Sequence, residues 1–189
     1  PHNLSAALRS LDAFGFQESW WINAGEKLEL SHLITRGTHR WLTLHGAEGT
    51  AEGVATLKAQ GYRVLASHLS AAGCVPLADI DFRQRTALVF GNEHAGVSDE
   101  VLAHADGRLR IDMLGFTESL NLSVATAVTA FHARQEIDRL RAASNDADAY
   151  LLSPEKRRAL YAQWLMDSVR RAEDVVAGGP PGTPRGDRT

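Results

Sequence analysis

The hydrophobic positions of this chain follow two spacings, one typical of strands and one typical of helices. Short β-rich runs are predicted as strands at residues 18–22, 41–44, 62–66, 86–90 and 109–113. Helical patterns lie between several of these runs, at residues 51–60 and 98–105. Strands that alternate with helices indicate a largely parallel sheet covered on both faces, so the sequence predicts an α/β domain.

Helical patterns also lie outside this alternating region. Apolar residues recur about every third position in residues 5–14, which predicts a short amphipathic helix with Asn3 or Ser5 as N-cap and Gly15 as C-cap. A long helix is predicted over residues 119–142, apolar at first and charged in its second half.

The C-terminal part has a different composition. Ser153 and Pro154 are a typical helix start, and they predict a second helix that runs to about residue 176. The last residues are rich in Gly and Pro, which is typical of a disordered tail. We therefore expect a main domain over residues 1–143, a C-terminal helical extension over 144–177 and a disordered tail over 178–189.

The start of the long helix is unusually apolar. Leu120, Val124, Val128 and Phe131 follow helical spacing and form one stripe, which Leu122 and Ala125 widen. A single neighbouring sheet is not expected to cover so broad a stripe.

Composition narrows the class of protein. The chain has 189 residues, of which 44% are hydrophobic and 23% are charged, and this is enough for one domain with a substantial core. Because the net charge is −3, the chain has no overall positive field, and any nucleic-acid binding must come from a local patch.

The compartment is also constrained. The single cysteine, Cys74, excludes a disulfide framework within one chain and fits a reducing, cytoplasmic location. No apolar run approaches the ~20 residues of a membrane span, so no membrane association is expected. The chain begins at Pro1 without an initiator Met, and we expect that a further N-terminal segment precedes it.

The densest group of polar and glycine residues is LVFGNEHAGVS at positions 88–98. Gly91 and Gly96 flank a predicted strand-to-helix turn, where the backbone can approach a ligand closely. The run is neither a Walker A loop nor a G-x-G-x-x-G fingerprint. Taken alone, it is equally compatible with a plain turn.

A second group is IDMLGFTESLNLSV at positions 111–124. Glu118 or Ser119 can be explained as a helix cap. Asn121 is harder to explain in this way, because an unpaired buried amide costs about 1–3 kcal/mol.

A third group is Asn3 with Arg9, which could converge on one ligand, although an arginine on such a helix is usually solvated. The eight histidines show no spacing typical of a metal site, and no metal is expected.

The order of these groups is more distinctive than any one of them. PHNLSAALRSLDAFGF, LVFGNEHAGVS and IDMLGFTESLNLSVATAV resemble the three ordered motifs of the SpoU/TrmH methyltransferases of the SPOUT superfamily, over roughly residues 1–141. LASHLS at 65–70 and YLLSPEKRRALYAQW at 150–164 are similar to the tRNA guanosine-2′-O-methyltransferase branch.

The resemblance implies an α/β fold with a deep C-terminal trefoil knot, a feature that is almost absent from proteins in general. It also implies a bound methyl donor, S-adenosylmethionine. The residues that the resemblance assigns to this cofactor are Ser67, Gly91, Ile111, Met113 and Leu120.

The resemblance further implies an enzyme that methylates a ribose 2′-hydroxyl of RNA. The polar residues that map onto the family's functional positions are Asn3, Arg9, Glu93, Ser119 and Asn121. A guanidinium normally stays protonated, so Arg9 is expected to orient and polarise the hydroxyl rather than to remove its proton. One departure is Asp112, which stands where the family usually has proline.

The expected substrate is tRNA at guanosine eighteen of the D-loop, and ribosomal RNA is the alternative. Two other function classes remain open: a catalytically silent knotted RNA-binding protein, and an α/β cofactor enzyme that does not act on RNA. The C-terminal third contributes a basic component, which solvated helix faces also explain: Arg134, Arg139, Arg141, Lys156, Arg157, Arg158, Arg170 and Arg171. The family resemblance and the apolar stripe together predict an isologous homodimer.

Overall fold

A computed structural model describes residues 2–22, 40–69, 72–92, 95–146 and 148–168. The chain divides into two compact units, Pro1–Ser144 and Asn145–Thr189. In chain order the elements of the first unit are α1 (His2–Ala13), β1 (Glu18–Ile22), β2 (Thr43–Ala47), α2 (Thr50–Ala59), β3 (Arg63–Ser67), β4 (Cys74–Pro76), a short 3-10 turn (Leu77–Asp79), β5 (Thr86–Val89), α3 (Asp99–His104), β6 (Gly107–Arg110) and α4 (Leu122–Ala142).

Every pairing between the strands that the structure describes is parallel. β1 pairs with β2, and the other four strands form a sheet in the order β4-β6-β3-β5. The predicted α/β fold with a largely parallel sheet is therefore confirmed. The trefoil knot stays a prediction with which this order is consistent.

The four-stranded sheet is covered on both faces, because side chains alternate along each strand. Val64 of β3 is fully buried against Val54 and Leu57 of α2. The next residue, Leu65, points to the opposite face and packs with Leu109 and with Ala133 of α4. The predicted placement of helices on both faces is confirmed.

Helix α1 packs along the N-terminal part of α4. Residues with small side chains allow this close approach, since Ser5 of α1 and Thr129 of α4 are both fully buried. Thr126 satisfies its buried hydroxyl by donating to the Leu122 carbonyl oxygen at 2.9 Å. The packing places the first residues of the chain beside the start of α4.

Several predicted element ends are confirmed by their caps. Gly15 has φ +74 and follows the end of α1, where the Phe16 N–H donates to the Leu11 carbonyl oxygen at 2.9 Å. This is a Schellman-type ending, which favours glycine. Ser98 caps α3 by accepting from the Val101 N–H at 3.3 Å.

Other element ends differ from the predictions. Helix α1 begins at His2, so Asn3 and Ser5 lie within it and neither is its N-cap. Helix α4 begins at Leu122 rather than at residue 119, because Asn121 is its N-cap. The last strand ends at Arg110 rather than at residue 113.

Strand β4 was not predicted from the sequence. It has three residues and contains Pro76, and it lies at an edge of the sheet, where proline is tolerated. So short a run carries no period-two pattern to recognise.

The second unit contains α5 (Pro154–Ser168). The Lys156 N–H donates to Ser153 Oγ at 3.3 Å, which confirms the predicted cap. The continuation of this helix to residue 176 and the disordered tail over 178–189 lie outside the described residues. No helix among the residues that the structure describes is both long and apolar enough to cross a membrane.

Candidate active site

The C-terminal ends of the parallel strands bring three of the predicted cofactor residues to one edge of the sheet. Ser67 is the last residue of β3, and it stands in register with Leu109 of β6. Ile111 directly follows β6, and Gly91 follows β5 by two positions. Because these strands are neighbours and run parallel, Ser67, Gly91 and Ile111 lie along the same edge, where open α/β sheets bind their ligands.

The strand-to-helix turn after β5 requires glycine at two positions. A Cβ atom added to Gly91 would lie 1.9 Å from the carbonyl carbon and oxygen of Gly96. Gly96 has φ +66, a conformation that L side chains rarely adopt. Asn92 and Gly96 exchange two backbone hydrogen bonds of 3.1 and 3.0 Å, which close the turn.

The loop after β6 is anchored by an ion pair at the position where this chain departs from the family that its motifs resemble. Arg110 Nε lies 2.8 Å from Asp112 Oδ1. The same guanidinium donates from Nη1 to the Cys74 carbonyl oxygen of β4 at 3.2 Å. Proline would restrict this loop through its ring. Here the ion pair links Asp112 to the sheet instead.

The start of α4 meets the start of α1 through two asparagines. Asn121 Nδ2 donates to Asn3 Oδ1 at 3.1 Å, although the two residues are 118 positions apart. Asn121 Oδ1 accepts from the Ser123 N–H at 2.9 Å and from Ser123 Oγ at 2.6 Å. Asn121 is exposed and is the N-cap of α4. The Asn121 amide therefore has hydrogen-bond partners, as the sequence predicted, but it is not buried.

The remaining site residues are more dispersed. Ser119 is exposed and accepts from Thr117 Oγ1 through its carbonyl oxygen at 3.0 Å, so it does not cap α4. Met113 and Leu120 are half-buried, before and after the most exposed part of this loop. Glu93 lies outside the described residues.

Arg9 is exposed on α1 and forms no hydrogen bond or ion pair with any other residue that the structure describes. Asn3 and Arg9 are in one helix, six positions apart, and this separation places them roughly 120° apart around its axis and about 9 Å along it. The two side chains therefore do not share a face of α1 in one subunit.

The basic residues of the C-terminal third are largely neutralised locally. Arg134 and Arg141 both pair with Asp138, and Arg139 pairs with Glu136 at 2.7 Å. In the second unit, arginines pair with carboxylates in the same way: Arg157 with Asp148 and Arg158 with Glu155. These pairs favour the interpretation of solvated helix faces over a continuous basic patch. Arg170 and Arg171 lie outside the described residues.

A cavity of about 360 Å³ among the described residues is not at this edge. Asp81 and Arg83, which line it, lie beside the N-terminal end of β3, since Arg63 donates to the Asp81 carbonyl oxygen at 2.8 Å. The cavity is therefore at the edge opposite to the predicted site residues. The described residues contain no group of three or more His, Cys, Asp or Glu that could hold a metal ion.

Sequence reasoning missed two contributors to this region. Ser123 holds the Asn121 amide, and the Asn-x-Ser spacing at a helix start is the signal that could have identified it. Phe116 stands fully exposed in the loop before α4, with 107% relative exposure. The sequence showed an aromatic residue there but not its exposure.

The parallel sheet, the glycine turn at a strand end and the paired asparagines define a class of α/β domain that binds its ligand across loops at the strand ends. The model of the SpoU rRNA Methylase family matches residues 1–131. The chain belongs to this family, and the resemblance stated from its motifs is confirmed.

Individual proteins agree with this assignment. The tRNA (guanosine(18)-2′-O)-methyltransferase of Thermus thermophilus is 38% identical over 165 residues, which cover 87% of this chain and 82% of the relative. The TrmH/SpoU tRNA modifying enzyme of A. aeolicus has a similar structure, with a TM-score of 0.76 at 29% identity, over 89% of this chain and 84% of that one. The AdoMet-bound rRNA methyltransferase of Sinorhizobium meliloti has a TM-score of 0.64 at 31% identity, over 72% of this chain and 52% of that one.

Proposed function

We propose that this protein transfers a methyl group from S-adenosylmethionine to the ribose 2′-hydroxyl of guanosine eighteen in tRNA. The observation that carries the proposal is the contact between Asn121 and Asn3, which joins the first and third family motifs across 118 positions. The tRNA (guanosine(18)-2′-O)-methyltransferase of Thermus thermophilus, which matches this chain over 82% of its own length, supports the same methyl-transfer activity.

The residues at the strand ends suit the cofactor. Ser67 and Ile111 offer backbone groups at the end of neighbouring strands, and the turn at Gly91 excludes any side chain there. We assign these residues, with Met113 and Leu120, to cofactor binding. When bound, S-adenosylmethionine supplies an electrophilic methyl group on its sulfonium. The AdoMet-bound structure of the rRNA methyltransferase from Sinorhizobium meliloti supports the choice of cofactor.

The polar residues then have to orient a weak nucleophile. A ribose hydroxyl is mostly protonated near neutral pH, so its attack depends on alignment and on a nearby positive charge. Arg9 supplies the guanidinium, which orients and polarises the hydroxyl. Asn3 and Asn121 hold the start of α4 in place, and we assign Ser119 and Glu93 to positioning the substrate.

The chain favours tRNA over ribosomal RNA as the substrate. The tRNA-modifying relative and this chain correspond over most of both lengths. The rRNA methyltransferase of known structure corresponds over only 52% of its own length. Ribosomal RNA is the second candidate.

The active form in this proposal is a homodimer. Val124, Val128 and Phe131 of the apolar stripe on α4 are 45%, 40% and 51% exposed. One subunit therefore leaves about half of each of these three side chains uncovered, and an isologous contact with a second copy would bury them. Such a contact would also bring Arg9 of one subunit toward the site of its partner. A cytoplasmic location, where tRNA is found, completes the proposal.

A methyl-transfer assay tests this function directly. Unmodified tRNA and ribosomal RNA fragments are each incubated with the protein and labelled S-adenosylmethionine, and the methylated nucleotide is mapped. We expect a 2′-O-methyl group on guanosine eighteen of tRNA. RNA binding without methyl transfer would identify a catalytically silent RNA-binding protein, and failure to bind S-adenosylmethionine would exclude the cofactor assignment.

A further inference from the structure

The loop between β6 and α4 carries two side chains that contribute nothing to the packing of the chain. Phe116 and Leu114 are 107% and 102% exposed, so neither is covered by another part of the described structure. Large apolar side chains normally gain stability by burial. Two fully exposed ones in the same loop indicate a surface that becomes covered by a ligand or a partner.

This loop adjoins the proposed catalytic residues. Phe116 precedes Ser119 by three positions, so their Cα atoms lie within about 11 Å. The hydrogen bond from Thr117 Oγ1 to the Ser119 carbonyl oxygen, 3.0 Å long, links the residue after Phe116 to Ser119. Asn121, which contacts Asn3, follows directly. Any RNA whose ribose reaches these residues passes close to Phe116.

The charge of the loop indicates which part of an RNA it contacts. Residues 111–121 contain no Lys, Arg or His, and they include Asp112 and Glu118. The loop is therefore unsuited to bind phosphates, whose contacts depend on cations. An exposed aromatic ring is instead suited to the face of an unpaired base, which is how proteins commonly hold single-stranded RNA.

We propose that Phe116 stacks on an RNA base at, or next to, the nucleotide whose ribose is methylated. This proposal rests on the proposed function and adds a positioning residue for its substrate. A second copy of the chain is the other possible occupant of this surface. The exposed stripe of Val124, Val128 and Phe131 on α4 is a separate and larger apolar surface for that contact.

The test compares substitutions of Phe116 in the full chain. We measure the Kd for unmodified tRNA, the Kd for S-adenosylmethionine and the sedimentation of each variant. Loss of one stacked base weakens binding by roughly five- to hundredfold. We expect Phe116→Ala and Phe116→Leu to raise the tRNA Kd by about tenfold or more. Phe116→Trp restores an aromatic face and should return the Kd to within about twofold of the original.

Leu114→Ala is the matched control, because Leu114 is equally exposed in the same loop but has no aromatic face. Its tRNA Kd should rise much less than that of Phe116→Ala, because no stacking is lost. Transcripts that lack the base at the target nucleotide or at either neighbour locate the contact. On one of them, the advantage of the unchanged protein over Phe116→Ala should disappear.

The outcomes are distinct. A shift of Phe116→Ala toward monomer would assign the residue to the contact between copies and overturn the proposal. So would full recovery by Phe116→Leu, an equal loss in Leu114→Ala, or an unchanged tRNA Kd. Methyl transfer by the unchanged protein is measured separately. If it binds tRNA without methylating it, the proposed function fails while the comparison of Phe116 variants in binding still decides this inference.

Discussion

Asn121 uses both ends of its side-chain amide. Its oxygen accepts from the N–H and the hydroxyl of Ser123, and its nitrogen donates to Asn3 Oδ1. The oxygen and nitrogen positions are assigned by this network, since a reversed amide would place a donor against the Ser123 N–H. Asn121 therefore both caps α4 and links it to α1.

Removal of the Arg9 guanidinium is predicted to impair methyl transfer. Its exposed guanidinium forms no ion pair with the described residues, so it is available to an RNA substrate. Arg9→Ala should lower kcat/KM for tRNA on the order of 10²- to 10³-fold, the usual cost of removing one transition-state contact. The Kd for S-adenosylmethionine, measured by calorimetry, should stay nearly unchanged.

Arg83→Ala is the control, because Arg83 is an exposed arginine that pairs with Asp81 at the opposite edge of the sheet. It should keep normal turnover. If Arg9→Ala weakened cofactor binding in proportion to the loss of activity, the assignment of Arg9 to the substrate would be wrong.

The Asp106 side chain is predicted to contribute to the free energy of unfolding. Its carboxylate accepts from the N–H of fully buried Val64 at 2.8 Å and pairs with Lys58 at 2.8 Å. Asp106→Ala leaves the Val64 N–H without this acceptor, and this should lower the free energy of unfolding at neutral pH by about 1–3 kcal/mol. Lys58→Ala removes only a partly exposed ion pair and should cost about 0–1 kcal/mol. Urea denaturation measures both.

The pH dependence of this contribution follows from the pKa of Asp106. Burial raises the pKa, but hydrogen bonds from Lys58 and from the Val64 N–H lower it below the ordinary value of 3.8. Since the folded-state pKa is the lower one, the contribution is present above pH 3.8 and is lost as the pH falls through the folded-state value. The difference between Asp106→Ala and the unchanged protein should therefore shrink below about pH 4. A difference that grew in acid would contradict this sign.

At the scale of elements, the sequence predicted the kinds of element better than their ends. Ser153 was a recognisable cap because serine at an N-cap bonds locally, within three residues, and Ser98 caps α3 in the same way at the predicted start of that helix. The start of α4 was misplaced because Ser119 precedes Asn121 and both residue types favour caps. Only the contact with Asn3 and the bonds to Ser123 show which residue begins the helix.

The candidate active site was predictable only in part, because some of its contacts join residues that are far apart in the sequence. Gly91 and Gly96 signal a tight turn in any sequence, because few other residues fit one. Nothing local links Asn3 to Asn121 across 118 positions, and only the family motifs placed them in one site. The exposure of Phe116 and the ion pair of Asp112 with Arg110 depend on tertiary structure, which a pattern of residue types does not contain.

The turn after β5 supports a prediction for one element. A methyl group at position 91 would meet the Gly96 backbone at 1.9 Å, so the turn must open to accept it. Gly91→Ala should therefore lower the affinity for S-adenosylmethionine by about tenfold or more, which corresponds to a loss of about 1.4 kcal/mol of contact with the displaced loop. Calorimetry measures this affinity. Gly46→Ala in β2, where nothing lies within 4 Å of the added Cβ, is the control and should bind normally. Normal binding by Gly91→Ala would remove this turn from the cofactor site.

For the molecule as a whole, RNA binding must be reconciled with a net charge of −3. The described arginines near the C-terminus are paired with carboxylates, so they do not add up to a basic surface. RNA binding therefore depends more on individual exposed groups, namely the Arg9 guanidinium and the Phe116 ring. A dimer would present two Arg9 side chains and two Phe116 side chains to one RNA. The paired contacts strengthen RNA binding without changing the net charge per residue.

Helix α4 has two contrasting faces. Its buried face consists of small residues that pack on α1 and the sheet, namely Thr126, Thr129, Ala130 and Ala133. Its exposed face carries Val124, Val128 and Phe131. One chain therefore does not bury its whole apolar stripe, and the homodimer stays a prediction.

The last prediction concerns this exposed face. If the exposed stripe of α4 forms the isologous contact, Val128→Glu introduces a carboxylate from each copy into an apolar interface. This should raise the dimer Kd on the order of a hundredfold. Sedimentation at micromolar concentration measures the effect. Val75→Glu is a matched control, because Val75 is 43% exposed, close to the 40% of Val128, but belongs to β4.

Subunit mixing tests whether the two copies share an active site. Arg9→Ala removes the guanidinium, and Asn121→Asp removes the donor to Asn3 while keeping an acceptor for the Ser123 N–H. Each variant alone should be inactive. If Arg9 serves the partner's site, a mixed dimer contains one site with an intact Arg9 and an intact Asn121. Because about half of the dimers in an equal mixture are mixed and each has one such site of two, roughly a quarter of full activity should return. An inactive mixture whose subunits exchange would place Arg9 and Asn121 of the same subunit in one site, and a fully active monomer would remove the shared site altogether.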